Sequence, residues 1–333
     1  MPAPDSSRPE LVAEICAAIA RAGGGITFAR FMELALYHPL YGYYTSDAAR
    51  IGKHGDFFTS VSVGPLFGKI LAQYFRKLRS ESGVEDFAIW EFGGRGGELR
   101  TDVLAVAPEL KWNIIEAGDP LPDEMIDCVF SNELLDALPV HRVQVRGGVW
   151  RELFVAASTA GFVEVAGPLS DPRLAEAVRD LPIAQMEGYR TEINLRALDW
   201  LTQIAARLRH GWMLTFDYGF ERADYFAPHR RDGHLQCYCR HQRHGNPFAN
   251  IGAQDITTHV DFSAFVEHGR ALGLETLWFC DQGKFLLDEG ADLIREIVER
   301  DAGKHSTERN AIHQLIHPAH MGRAFKALLL RKL

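Results

Sequence analysis

IWEFGGRGGEL, residues 89–99, opens with two apolar residues and a Glu, passes four glycines in five positions, and runs into a helical pattern. A strand, a glycine-rich turn and a helix in succession aim backbone N–H groups at whatever sits over the helix N-terminus. The dinucleotide fingerprint Gly-x-Gly-x-x-Gly fits in neither register: from Gly93 the second glycine is replaced by Arg95, and from Gly94 the third is replaced by Leu99. Glu91 ends the strand, where a carboxylate would repel a pyrophosphate but suit a cationic ligand that carries no phosphate. S-adenosylmethionine, with its sulfonium and amino group, has that character. A plain strand–helix turn whose glycines only permit close packing would read the same way.

Around this loop short apolar runs alternate with helical patterns. FAIWEF is expected as a strand, ELRTDVLAVA as a helix, and KWNIIEA, MIDCVFS and GWMLTFDYG as further strands, the signature of a parallel sheet with crossover connections. Three helices are expected before it: one over Leu11–Ala22, one capped by Thr27, and one opening near Pro65. HRVQVRGGVWRELFVAA reads as a hairpin turning at Gly147-Gly148, continued by GFVEVAG. A long helix is expected over about 191–209, a helix from Asp261, a strand in ETLWFC, and in RAFKALLLRK a last strand in preference to a helix.

Composition narrows the class. The chain has 333 residues, 47% of them hydrophobic, and a net charge of -8, so it buries a full core, and nothing basic marks it for nucleic acid. Five scattered cysteines suit a reducing compartment. The acidic N-terminus does not read as a signal peptide, and no apolar run approaches the ~20 residues needed to cross a bilayer. The cytoplasm is the expected location, without membrane insertion; the oligomeric state is open.

Further candidates follow from position. Glu116 lies 19 residues after Gly97, where nucleoside-binding sheets place the acid that accepts ribose hydroxyls; a solvated strand-end acid is the competing reading. SNELLDALPV follows an apolar strand and brings Asn132, Glu133 and Asp136 to the end of the sheet that binds ligands. On a short helix Glu133 and Asp136, three apart, share a face and can grip a guanidinium; an Asn cap with two solvated acids is the alternative. GHLQCYCRHQRHG holds Cys237, Cys239, His241 and His244, with His234 nearby. Its Cys-x-Cys, His-x-x-His spacing is unfamiliar for zinc, so no metal is expected and a loop with reduced thiols is favoured.

Taken together, MELALYHPLYGYY (32–44), IGKHGDFFTS (51–60), EFGGRGGEL (91–99), SNELLDALPV (131–140), DYG (217–219), GHLQCYCRH (233–241), IGAQDITTHVDF (251–262) and DQGKFLL (281–287) resemble the MidA-like / mitochondrial complex I assembly factor 7 family of S-adenosylmethionine-dependent methyltransferases. The resemblance spans about residues 26–331. It implies an α/β fold, a class I methyltransferase-like Rossmann sheet with N-terminal helices and an inserted acceptor lobe. The expected division is an N-terminal helical segment and flap loop over 1–80, then an α/β domain over 81–333 with the lobe inserted at about 141–190 and 220–262. Implied activity is methyl transfer to a protein arginine, in cytoplasm or, in a eukaryote, the mitochondrial matrix, where such members serve respiratory complex I assembly.

Carried onto this sequence, the resemblance assigns the donor to Glu91, Gly93, Gly97 and Asn132, with Glu116 a weaker assignment and Gly55-Asp56-Phe57 a flap. Glu133, Asp136 and, alternatively, Asp56 become the catalytic candidates, and Asp217, Tyr218 and Asp255 to His259 the acceptor side. Two departures stand out. The family loop reads Glu-x-Gly-Pro-Gly-x-Gly, whereas here Gly94 replaces the Pro and Arg95-Gly96 follow; either Arg95 crowds the adenosyl group or the register shifts so that Gly96 takes over. The 16 residues from Glu116 to Asn132 also leave no room for the family's intervening helix and strand, unless KWNIIEA is itself the family's third strand. A protein that kept the fold for assembly work and lost donor binding is the rival reading; a dehydrogenase with an altered nucleotide loop is the more distant one.

Overall fold

The computed structural model describes residues 6–45, 60–181, 183, 186–240 and 242–333, with the Arg95 side chain also outside the described set. The flap candidates Gly55 and Asp56, and His241, therefore lie outside the described residues. The chain forms two compact units, each assembled from three segments.

One unit comprises Phe58–Leu134, Trp200–Gly219 and Ser263–Leu333. Its strands are β1 (Ala88–Phe92), β2 (Lys111–Ile115), β3 (Ile126–Asn132), β4 (Leu208–Phe220), β5 (Leu274–Asp281) and β6 (Phe325–Lys332). They run in the order β5-β6-β4-β3-β1-β2. β1 is parallel to β2 and β3, and β3 to β4, while β6 is antiparallel to both its neighbours. β2 pairs directly with β1, which removes the alternative that it stands in the third position.

From β2 to β3 the chain crosses β1 through residues 116–125 with neither helix nor strand. Parallel strands ordinarily need a dozen or more residues for that return, usually helical. Ten extended residues reach about 33 Å, enough to run back along a five-residue strand and across two strand spacings. The guanidinium of Arg207 ties this crossover down through the Pro122 carbonyl at 3.2 Å.

The sheet is covered by α1 (Leu66–Ser82) and α2 (Glu98–Val106), with Pro65 as N-cap of the first. Phe67, Ile70, Leu71, Tyr74 and Leu78 face inward as their spacing predicts. Phe75 meets Trp112 and Phe130 edge-on, with centroids 5.3 and 5.7 Å apart, contacts worth about 0.5–1.5 kcal/mol each beyond burial. The last strand is as expected. The long helix is shorter than expected: α3 covers Leu195–Arg207, because Arg190–Ile193 pairs with His141–Gln144 as a strand. The Asn194 side chain caps α3 by accepting from the Ala197 N–H at 2.9 Å.

The other unit is built from the described parts of Met1–Phe57, Leu135–Asp199 and Phe220–Phe262. Helices Pro9–Arg21 and Phe28–Tyr37 pack on an antiparallel sheet. Thr27 caps the second helix by accepting from Arg30 N–H at 3.1 Å, as its sequence predicts. His141–Arg146 and Val149–Ser158 form the hairpin, with Arg146 opposite Val149. Its two turn residues, Gly147 and Gly148, have φ of 60° and 73°, the doubly positive pattern of a type I′ turn. Buried Arg142 pairs with Glu192 at 3.1 Å and with Glu164.

Candidate functional site

The carboxyl ends of β1, β2 and β3 carry the donor candidates. Glu91 and its loop come first. In register, Glu91 stands between Ile114 and Phe130, and Ile89 stands beside Trp112, so the period-two pleat puts Glu91 and Trp112 on one face. The Trp112 indole N–H donates to Glu91 Oε2 at 2.8 Å. Glu91 is 4% exposed. Burial pushes its carboxyl up to about 7, the indole bond opposes this, and the Glu116 charge adds to it.

The glycines then fold the chain over that carboxylate. Gly93 has φ 74° and donates to the Ile115 carbonyl at 2.9 Å, lengthening the β1–β2 ladder by one bond. A Cβ at Gly94 would stand 2.3 Å from Glu91 Cδ, so no side chain fits where the family has Pro while Glu91 faces Trp112. Gly96 and Gly97 both take positive φ, 82° and 66°, and Gly97 is the N-cap of α2. Both glycines are therefore conformationally required, within a short 3₁₀ segment, Arg95–Gly97, that is kinked at Gly96.

Glu116 is half-buried just past β2. Its N–H donates to Asp119 Oδ2 at 2.9 Å, and its carbonyl accepts from Asp119 N–H at 3.0 Å. That reciprocal turn fixes its backbone at the rim of the same sheet end.

Asn132 ends β3 opposite Phe216. Its Nδ2 donates to Glu133 Oε1 at 3.0 Å, while its Oδ1 is buried without a hydrogen-bond partner. Such an orphaned acceptor calls for a donor from outside the protein. Glu133 has φ 53°, a left-handed conformation that a non-glycine residue rarely adopts, and its N–H donates to the Phe216 carbonyl at 2.9 Å. That backbone breaks the short helix expected over NELLDAL: residues 133–138 form bends and a turn. Glu133 and Asp136 share no helical face, and the pairing inferred from their spacing is withdrawn.

Asp136 belongs to the other unit, 5% exposed, and its carbonyl accepts from Thr258 N–H at 2.9 Å. In that unit Asp255, 1% exposed, accepts from the Tyr44 hydroxyl at 2.8 Å. The His259 ring lies tilted against Phe220 and edge-on to His234, and burial chiefly pushes its imidazolium down to about 3. Asp217, in the sheet unit, is fully buried and accepts from the Tyr218 N–H at 2.8 Å. Cys237 and His244 oppose each other across a hairpin whose other pairs are Tyr238 with Arg243 and Cys239 with Gln242. The Cys237 side chain sinks into the apolar core and its thiol is pushed up to about 12 by burial.

The sequence missed Trp112 as the partner of Glu91, although a Trp one strand over in KWNIIEA was the available signal. It also missed why Gly94 must be glycine, since that depends on the direction of the Glu91 side chain.

The residues present fit an adenosyl-sulfonium ligand: a glycine cradle that a Cβ would fill, an orphaned acceptor at Asn132, and acids at two adjacent strand ends. Gly93–Gly97, Glu116 and Asn132 would hold it, and it supplies a transferable methyl group. Glu91 contributes a nearly buried acid whose ionisation a neighbouring cation favours.

Comparison with known proteins agrees. A family model described as "Putative S-adenosyl-L-methionine-dependent methyltransferase" matches residues 109–280, just over half of the chain. The chain is 25% identical to the Drosophila melanogaster protein named protein arginine methyltransferase NDUFAF7 homolog, mitochondrial, over 92% of this chain and 82% of that one. It is 23% identical to the Homo sapiens protein arginine methyltransferase NDUFAF7, mitochondrial, over 92% and 80%. A Burkholderia thailandensis protein, crystallised with S-adenosyl-homocysteine bound, is 32% identical and superposes with a TM-score of 0.90 over 97% of this chain and 92% of that one. The chain belongs to this S-adenosyl-L-methionine-dependent methyltransferase family, and S-adenosylmethionine is its methyl donor.

Proposed function

We propose that this methyltransferase acts on an arginine side chain of a protein. The observation that carries this reading is the Asn132-Glu133 turn. A carboxylate is held in a left-handed backbone conformation beside a buried acceptor that lacks a partner, at the sheet end that also bears the glycine loop. A guanidinium has a pKa above 12 and is a poor nucleophile. Glu133 grips its N–H groups, localises the charge, and aims the free nitrogen at the methyl group. The curated relatives' names, protein arginine methyltransferase, support the acceptor class. The family resemblance points to a subunit of a respiratory complex as the acceptor, modified in the cytoplasm or the mitochondrial matrix.

The test is incubation with methyl-labelled S-adenosylmethionine and respiratory-complex subunits, followed by acid hydrolysis and amino-acid analysis. Labelled methylarginine, lost in Glu133→Gln and Glu91→Ala, is the expected result. Label on another amino acid overturns the arginine assignment. Donor binding in calorimetry without any transfer shifts the reading to a protein that keeps the fold for assembly work.

A further inference from the structure

Outside the donor site, the sheet unit carries three exposed histidines in IHQLIHPAHM (312–321). His313 lies in the last turn of helix Thr307–Ile316, His317 is its C-cap, and His320 follows in the next turn. The i, i+4 spacing of the first two stacks their rings on one helical face, with centroids 4.7 Å apart and interplanar angle 26°. His320 closes on both, at 5.0 Å from His313 and 5.5 Å from His317. One ring nitrogen from each lies within 4.8 Å of the others.

The backbone fixes this convergence. The His317 carbonyl accepts from His320 N–H at 2.9 Å and from Gly322 N–H at 3.3 Å, so the chain doubles back immediately after the helix. Gly322 makes the reversal close: a Cβ there would stand 1.9 Å from the Ile316 carbonyl oxygen. The helix itself is anchored by buried Ala311 and Leu315, and by the Gln282 side chain on the Leu315 carbonyl at 3.2 Å. Three imidazoles thus project from one rigid turn into solvent.

We propose that His313, His317 and His320 form a binding site for a divalent transition-metal ion of the zinc class. Neutral imidazole is a borderline-soft donor suited to Zn²⁺, and three of them leave a fourth tetrahedral position for water. Zinc–nitrogen bonds of about 2.0–2.1 Å place the nitrogens about 3.4 Å apart, so the exposed rings close by about an ångström through side-chain rotation. His317 Nδ1 now accepts from Ala319 N–H at 3.1 Å. Metal binding at either nitrogen removes that acceptor, and the Ala319 amide turns to the surrounding water.

The test uses the full chain, stripped of metal by chelator and dialysed, titrated with Zn²⁺ alone by calorimetry and with Co²⁺ by visible absorption. The chain holds 14 histidines, so the signal must follow these three. The expected result is one equivalent of Zn²⁺ and tetrahedral Co²⁺ bands, with affinity falling about tenfold or more in each of His313→Ala, His317→Ala and His320→Ala. All three side chains are exposed, and circular dichroism checks that each variant folds. Wild-type affinity in any one of the three variants, or no binding by the wild type, overturns the site.

Discussion

Trp112 and Glu91 form a buried acid–indole pair, 2.8 Å from Nε1 to Oε2, roofed by Gly94. Burial of Glu91 costs the fold stability at neutral pH, because desolvation stabilises its protonated form and lifts its titration to about 7, above its ordinary 4.5, with the indole bond only partly opposing this. An acid with a raised folded-state pKa contributes fully below its unfolded value and loses that contribution as pH rises through the folded one. Glu91→Gln keeps an acceptor for the indole and removes the loss. The expected gain is about 1–3 kcal/mol at pH 8, vanishing at pH 4.5, measured by urea unfolding of both proteins at each pH.

The same titration shapes ligand preference. Ionised Glu91 favours a nearby cation, which S-adenosylmethionine has at its sulfonium and S-adenosylhomocysteine lacks. The affinity ratio of the first to the second is expected to rise from pH 6 to pH 8 and to flatten in Glu91→Gln. Calorimetric titrations at three pH values check it.

Gly94→Ala drives a methyl group into the Glu91 carboxylate, forcing the acid off Trp112 or the loop off its helix. Donor affinity is expected to fall about tenfold or more, with about 1–3 kcal/mol of stability lost to overpacking. Adding Glu91→Ala should recover much of the stability and none of the affinity. A double-mutant cycle showing plain additivity would contradict the contact.

Glu133 is strained where glycine would be relaxed. Glu133→Gly is expected to raise stability by up to about 1 kcal/mol while methyl transfer falls steeply. Chemical denaturation and turnover, measured on one preparation, test the opposite signs together.

His259 sets an acid limit. Its folded pKa near 3 lies below its ordinary 6.5, so the unfolded chain binds more protons between those values and stability falls as pH drops from about 6.5. Adjacent His234 is lowered as well, again mainly by burial. His259→Gln should flatten that fall, read as urea midpoints between pH 7.5 and 4.5.

Most of the sheet was legible because its strands carry strong local signals: the apolar runs, the glycine loop and the Gly147-Gly148 turn each specify their own geometry. The 191–209 region misled because its helical period extends back into Arg190–Ile193, and only pairing with His141–Gln144 overrides it. NELLDAL misled because helix propensity says nothing of the positive φ at Glu133, which the ladder bond to Phe216 imposes from a strand distant in sequence. Position at strand ends drew attention to Glu91 and Asn132, and the resemblance added Gly93 and Gly97; the orientation of the Glu91 side chain depends on Trp112 and could not be read from spacing. His313, His317 and His320 lie at i, i+4 and i+7 with no thiol beside them, and their convergence depends on the chain doubling back after the helix, which the spacing does not show.

The short crossover after β2 has a consequence beyond the donor site. Among the described residues no strand pairs the far side of β2, so β2 ends the sheet, and a border strand offers its outer amides and carbonyls to any other extended chain. This one is guarded against such pairing in two ways: it is five residues long, and it begins with exposed Lys111 and carries Asn113. The burden of staying unaggregated at this edge thus falls on a strand of five residues, Lys111–Ile115.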